Sequence, residues 1–345
     1  MRKRLQLISF YNLFALSLKI TNIAAVKPMT IKDLASFLKV SPSTVSRALN
    51  NHPDISLEVR QRVQQLAEEL QFKPNSFAAN FRKKQSKLIA VVLPKIYRSF
   101  IPDVIEGITK KLSAHQFQTL VLITEDQFTS EAEAIKQCCD MRVDGILLSL
   151  SNQTKDLQHL ERCKTMGIPL VLFDNTLQSD CFASVHINDQ RAAGLCADLF
   201  NHKHVTRVAA VFGPEELQIS QNRKVGLFAT LNKDIDVATC YANDAQAAFV
   251  FADEQIRKHQ TKAFFGISDE VLLGIVTAVK EHNLSKQALV VGFSDGLTMP
   301  FLHRELRYIF HDGKVVGAQA AEQILKHIES NSNLIEHIEI PVELY

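Results

Sequence analysis

Residues 40–50 read VSPSTVSRALN, a stretch with four hydroxyl side chains, one proline and a single cation, Arg47. Hydroxyls and an arginine can donate to phosphate oxygens and base edges, and arginine can place two bonds on guanine O6 and N7. That chemistry needs a rigid, exposed element to carry it. Ser41 is a good cap for a helix start, and Pro42 suits the first helical position, where its missing N–H costs nothing. Val45, Ala48 and Leu49 recur at helical spacing, so the stretch reads as a helix with one buried face. Ser43, Thr44, Ser46 and Arg47 are left on its outer faces.

The flanking residues supply partners for that face. Thr30 precedes IKDLASFLKV, whose Ile31, Leu34, Ala35 and Leu38 make an apolar stripe, and Asp33 favours the helix start. Two short helices joined by a tight turn at residues 39–41 form a helix-turn-helix pattern. Ser56 caps a third helix carrying Val59, Val63, Leu66, Ala67 and Leu70. Phe72-Lys73-Pro74-Asn75 ends that helix. SFAANFRKKQ (76–85) is too polar to own a core, and reads as a basic linker or as a segment that becomes helical only on DNA.

Charge divides along the chain. Residues 1–29 hold five cations and no acid, residues 30–85 nine cations and five acids, and residues 86–345 twenty-five cations and thirty-two acids. A basic head on an acidic body points the head at a polyanion. Apolar content of 46% with 22% charged residues excludes a disordered or membrane-dominated chain. The six cysteines include no C-x-x-C pair, which fits ordinary thiols in a reducing compartment. Residues 1–28 begin with a basic cluster and continue apolar, but Asn12 and Lys19 interrupt the run. Met29 is the expected true start, the alternatives being a genuine extension or a targeting signal.

From Lys87 onward, apolar runs such as LIAVVL (88–93), GILLSL (145–150), PLVLF (169–173) and ALVVGF (288–293) alternate with amphipathic helical patterns. Repeated strand–helix units predict parallel sheets covered by helices, and about 260 residues suit two lobes. No G-x-G-x-x-G, Walker loop, H-E-x-x-H or G-x-S-x-G occurs, so a non-enzyme without cofactor or metal is expected.

TIKDLASFLKVSPSTVSRALN, with IS-x-x-x-R-x-R-V-x-x-x-A-x-x-L-x-F-x-PN after it, resembles the N-terminal signature of the lactose-repressor (LacI/GalR) family. The resemblance implies an all-α helix-turn-helix domain (30–74), a hinge (75–85) and a two-lobed α/β body of periplasmic-binding-protein type (86–345), behind an extension (1–29). The implied protein is a cytoplasmic, ligand-responsive repressor of carbohydrate-utilisation genes, a homodimer on a pseudo-palindromic operator, with no membrane partner. An exported sugar-binding protein using residues 1–28 as a signal is the alternative.

Family roles carry over position by position. Pro42, Ser43 and Arg47 match base-reading positions; Ser41, Thr44, Ser46 and Asn50 match backbone-contacting or capping positions, and Ser56 a phosphate contact. In the hinge, Asn75, Ala78 and Arg82 fit the pattern, and Phe81 falls where relatives wedge a leucine into the minor groove. Ala79 replaces the common hinge arginine. In the body, Arg223 matches the arginine that grips the effector, and Ser268 and Asp269 match a strand-end pair. Tyr97 and Phe100 match sugar-stacking aromatics, while Phe173 and Asp174 close the fourth strand. Ser294 and Asn188 stand where relatives carry acids, which implies a weaker acidic lining and a ligand unlike a simple hexose. His311, where glutamine is frequent, adds a titratable group.

Overall fold

The computed structural model describes residues 29–72, 85–96, 100–215, 217–242, 244–330 and 335–345. The chain separates into two compact units, residues 1–84 and 85–345.

The first unit holds α1 (Ile31–Leu38), α2 (Pro42–Leu49) and α3 (Leu57–Glu69). Thr30 and Asp33 cap α1 reciprocally: the Asp33 carboxylate accepts from the Thr30 N–H at 2.8 Å, and the Thr30 hydroxyl accepts from the Asp33 N–H at 3.4 Å. Lys39 adopts a left-handed φ of 54° and ends α1, so the chain turns at once into α2. Leu34, Ala35, Val45, Ala48 and Val63 close a small core. Arg60 of α3 donates to the carbonyls of His52 and Ile55 at 3.0 and 3.1 Å and holds the loop that follows α2.

The second unit opens with β1 (Leu88–Leu93), α4 (Phe100–Ala114), β2 (Gln118–Ile123), α5 (Phe128–Met141), β3 (Gly145–Leu148), α6 (Glu161–Thr165), β4 (Leu170–Phe173) and β5 (Ala183–Ile187). It continues with α7 (Asp189–His202), β6 (Arg207–Phe212), α8 (Gln218–Thr230), β7 (Asp236–Tyr241), α9 (Ala245–His259), β8 (Ala263–Gly266), α10 (Asp269–Glu281) and β9 (Leu289–Ser294). Last come α11 (Met299–Leu302), β10 (Arg307–Phe310), α12 (Gly313–Ser330) and β11 (His337–Ile340).

These strands form two parallel sheets, one of six strands in the order β11-β5-β4-β3-β1-β2 and one of five in the order β10-β9-β8-β6-β7. Central strands such as β1, β3 and β4 are buried almost throughout, which is why they read as unbroken apolar runs; the edge strands β2 and β7 are only half-buried. The first sheet spans β1–β5 and takes back one late strand, β11, along Ser184–Ile187. The chain therefore passes between lobes after β5, again between β10 and α12, and a third time after β11. There Leu344 bridges to Ile309, and the Tyr345 ring stacks on Tyr308 at 5.9 Å.

Helix pairs beside the sheets meet backbone to backbone. A Cβ on Gly317 of α12 would lie 2.1 Å from the Val104 carbonyl oxygen of α4, and one on Gly274 of α10 would lie 2.1 Å from that of Ala245. Neither neighbour is a flexible side-chain tip, so the helices would have to separate. Among the described residues, no helix is long and apolar enough to cross a membrane. Gly317→Ala is expected to destabilise the second unit by about 1–3 kcal/mol in urea unfolding, against little change for an alanine at exposed Lys326.

Candidate functional site

In the first unit α2 is a helix capped by Ser41, as its sequence suggests. The Ser41 oxygen accepts from the Thr44 N–H at 3.0 Å and lies 2.7 Å from the Ser43 hydroxyl and 2.8 Å from that of Thr44. Ser41 is thus occupied as the helix cap, and it positions Ser43. The Asn50 amide donates to the Ser46 carbonyl at 2.8 Å, which ties it to the helix end. Ser56 caps α3, accepting from the Val59 N–H at 3.5 Å. Val45 and Ala48 are fully buried, so Pro42, Ser43 and Arg47 are held outward, all exposed. Asn75, Ala78, Phe81 and Arg82, and Tyr97 of the body, lie outside the described residues.

In the second unit a cleft of about 460 Å³ opens where the strands of both sheets end. Lys95, Phe100, Asp126, Ser149, Asn152, Asp174 and Asn175 approach from β1–β4, and Arg223, Ser268, Asp269, Phe293, Ser294 and Asp295 from the second sheet. Carboxyl ends of parallel strands are where open α/β sheets bind ligands, because the loops there converge around helix starts.

Arg223 is the cleft's most constrained group. It is 4% exposed; its Nε donates to Asp189 at 2.7 Å and its Nη1 to the Ile267 carbonyl at 2.7 Å. Its guanidinium lies 3.6 Å above the Phe293 ring. The two bonds use two of five N–H donors, so the fork can serve a ligand as well. Asp189 is the first residue of α7, just past the first interlobe crossing, where Asn188 caps the helix by accepting from the Arg191 N–H at 2.9 Å. Asn188 does not line the cleft; its amide donates to Glu339 at 3.1 Å.

Ser294 has a local explanation. Its hydroxyl donates to Asp269 at 2.5 Å, and the Asp295 N–H donates to the other Asp269 oxygen at 3.0 Å. An acid at 294 would face that carboxylate directly, so a donor is the compatible residue. The lining is nonetheless acidic: Asp126, Asp174, Asp269, Glu270 and Asp295 oppose two cations, Lys95 and Arg223. The cleft thus keeps acids from four strand ends, although Ser294 and Asn188 stand where relatives carry two more.

Phe173 needs a second correction. It is fully buried and packs in the apolar core beside Val171 and Val185, because helices pack on both faces of this sheet and Phe173 is still within β4. Asp174, the next residue, turns into the cleft with a left-handed φ of 57°, as does Asp126 after β2 with 61°. Aspartate tolerates that region, and such strain concentrates at ligand sites. Lys95, Asp126, Ser149, Asn152 and Asn175 were not singled out from sequence. Their one signal is position, each lying near or just past the end of an apolar run. Asn152 donates to Asp126 through backbone and side chain at 2.8 and 2.7 Å, and Asn175 donates to the Leu150 carbonyl at 2.7 Å.

His311 lines the cleft at the second interlobe crossing and stacks on Phe100, with ring centroids 3.8 Å apart. Burial, and then the positive charge of Arg223, push its pKa down to about 3. It is held neutral, a stacking ring rather than a switch near neutral pH. Among the described residues, no group of three or more His, Cys, Asp or Glu could hold a metal. All six cysteines are free thiols, and burial pushes Cys138 up to about 12, which suits packing rather than reaction.

Residues 30–75 match the bacterial regulatory proteins of the lacI family, and residues 86–345 match the periplasmic binding proteins and sugar binding domain of LacI family. The chain belongs to the LacI family. Its curated relatives include the ribose operon repressor of Bacillus subtilis (26% identical, 91% of this chain and 96% of that protein). The repressor CytR of Escherichia coli is 26% identical over 89% and 93%, and catabolite control protein A of Priestia megaterium 23% over 91% and 96%. Among solved structures, the lac repressor dimer bound to operator and an anti-inducer superposes with a TM-score of 0.82 at 21% identity, covering 92% of this chain and 98% of that one. A periplasmic solute-binding protein from Actinobacillus succinogenes with bound D-allose superposes at 0.67 and 17%, covering 75% and 96%. This LacI-family member thus has the fold of both groups in its second unit and a helix-turn-helix head besides.

Two measurements follow. Arg223→Met removes the buried guanidinium and leaves the half-buried Asp189 unpaired, and should cost about 3–5 kcal/mol in urea unfolding; Asp189→Asn added to it should restore part of the loss, and additive losses would show that the pair is not coupled. For His311 the folded pKa lies below the unfolded one, so the unfolded chain takes up the proton first. Stability from this group is present above about pH 6.5 and declines toward pH 3, by at most about 1.4 kcal/mol per unit. His311→Gln should flatten that part of the stability profile while leaving the profile between pH 7 and 8 unchanged.

Proposed function

We propose that this protein represses transcription by binding a pseudo-palindromic operator as a homodimer, with a small polyhydroxyl effector in the cleft altering its hold on DNA. The observation that carries the reading is α2: Arg47 and Ser43 are exposed side by side on a helix that Val45 and Ala48 fix to the rest of the head. Arg47 reads a guanine, Ser43 and the contour of Pro42 contribute close fit, and Ser41, Thr44, Ser46, Asn50 and Ser56 orient the head on the sugar-phosphate backbone. Pro42 has no N–H to donate, so discrimination rests on Ser43 and Arg47. In the hinge, Asn75, Ala78, Phe81 and Arg82 engage the minor groove, with Phe81 as the wedge.

The effector is a sugar or related neutral polyol. Relatives named for the sucrose and ribose operons support this, and so does the chemistry of the cleft. Five carboxylates against two cations accept hydroxyl donors and repel an anionic ligand, while the Phe100–His311 pair offers an apolar ring face to the sugar. Phe100, Asp174, Arg223, Ser268, Asp269, Ser294 and His311 are the contacts assigned, and Phe173 is not among them. Effector and operator are coupled through their different affinities for two lobe arrangements. The protein acts in the cytoplasm, needs no cofactor and turns over no substrate.

Selection of genomic fragments by gel shift, with a salt series, tests the reading. A palindrome should emerge, and its binding should weaken steeply as salt rises. Failure to select any palindrome would leave the exported sugar-binding alternative standing. Arg47→Ala is expected to lose about 1–3 kcal/mol of discrimination at one base pair in each half-site, whereas uniform weakening across sequences would place Arg47 on a phosphate.

A further inference from the structure

A second concavity lies at the other end of the five-stranded sheet, where β6, β8, β9 and β10 begin rather than end. Its volume is about 550 Å³, within the ~300–1,000 Å³ range of small-molecule sites. Its charge is opposite to that of the cleft. Lys203, Arg207, Lys262, Lys286 and Arg307 line it, and Glu305 is the one acid among its described residues. Among the described residues, only Arg207 of the five is ion-paired, to Asp236.

Helix ends explain part of this charge but not most of it. Lys203 follows the last turn of α7, where a cation complements the helix dipole. Arg207 and Arg307 instead open β6 and β10, while Lys262 immediately precedes β8 and Lys286 lies in the loop before β9. A second observation points inward. Thr261, 2% exposed, lines the concavity with a buried hydroxyl that has no hydrogen-bond partner among the described residues, and the Arg207 Nε is likewise unpartnered. Leaving such a group unmet costs about 1–3 kcal/mol, which a ligand oxygen would offset.

We propose that this concavity is a second ligand site, for a small molecule carrying at least two phosphate groups, separate from the effector cleft. It goes beyond the repressor reading and does not rest on it. Lys286 and Arg307 clamp the phosphates as unpaired cations, and Thr261 donates to one of their oxygens. The acidic cleft rejects the same anion, so the two sites sort ligands by charge. A protein with both would answer to a neutral polyol and a phosphorylated metabolite independently.

Calorimetry of the full chain with inorganic pyrophosphate, at about 150 mM salt to screen loose surface attraction, tests this. One site per chain is expected. The double variant Lys286→Gln/Arg307→Gln should weaken binding about tenfold or more, and Thr261→Val should weaken it severalfold, with melting curves confirming that each variant is folded. Arg47→Gln in the basic head should leave pyrophosphate binding unchanged. Absence of binding at millimolar pyrophosphate would overturn the proposal. So would binding that is lost in Arg47→Gln but kept in the double variant, which would place the anion on the DNA-reading head.

Discussion

A buried guanidinium organises the ligand-binding body. Arg223 comes from α8, yet it bonds the start of α7, the carbonyl that ends the β8 strand and the face of a phenylalanine on β9. A charge at 4% exposure is tolerable only when its partners are in place, so those three elements must arrive together for any of them to be stable. Asp189 stands beside the first interlobe crossing, and His311, which feels the Arg223 charge, stands at the second. The most constrained group of the cleft is therefore also tied to the segments where the chain crosses between the lobes.

The head depends on a different economy, in which side chains complete the backbone bonds that short helices lack. Short helices leave much of their hydrogen-bonding capacity unmet at the ends, and Thr30 and Ser41 each supply an oxygen to an eight-residue helix, as Ser56 does to the longer α3. Ser41 is already committed to the Thr44 N–H and to the hydroxyls of Ser43 and Thr44.

Much of this was legible along the chain. Caps, helical stripes and unbroken apolar strands depend on residues within a few positions of one another, and the Thr30, Ser41 and Ser56 caps and the strands β1, β3, β4 and β9 lie where their local patterns put them. The charge division and the absence of catalytic motifs are likewise properties of the chain itself. Arg223, Asp269, Ser294 and His311 could be named only through the family resemblance, and all four line the cleft.

What the sequence could not decide depends on which face of a sheet a residue meets and which distant segments share a corner. Phe173 and Asp174 are neighbours in the chain, yet one fills the core and the other turns into the cleft, since helices cover both faces of β4 up to Phe173 and the chain leaves the sheet at Asp174. The acidity of the cleft follows the same logic: Asp126, Asp174 and Asp295 are far apart in sequence and converge because parallel strands end together. The basic concavity at the opposite end arises from the converse, cations at four strand beginnings gathered by one sheet. The sequence by itself determined the head, its reading helix and the class of the body. Only the tertiary structure decided the polarity of its pockets, because charge in a cleft is a sum over residues that local patterns never bring side by side.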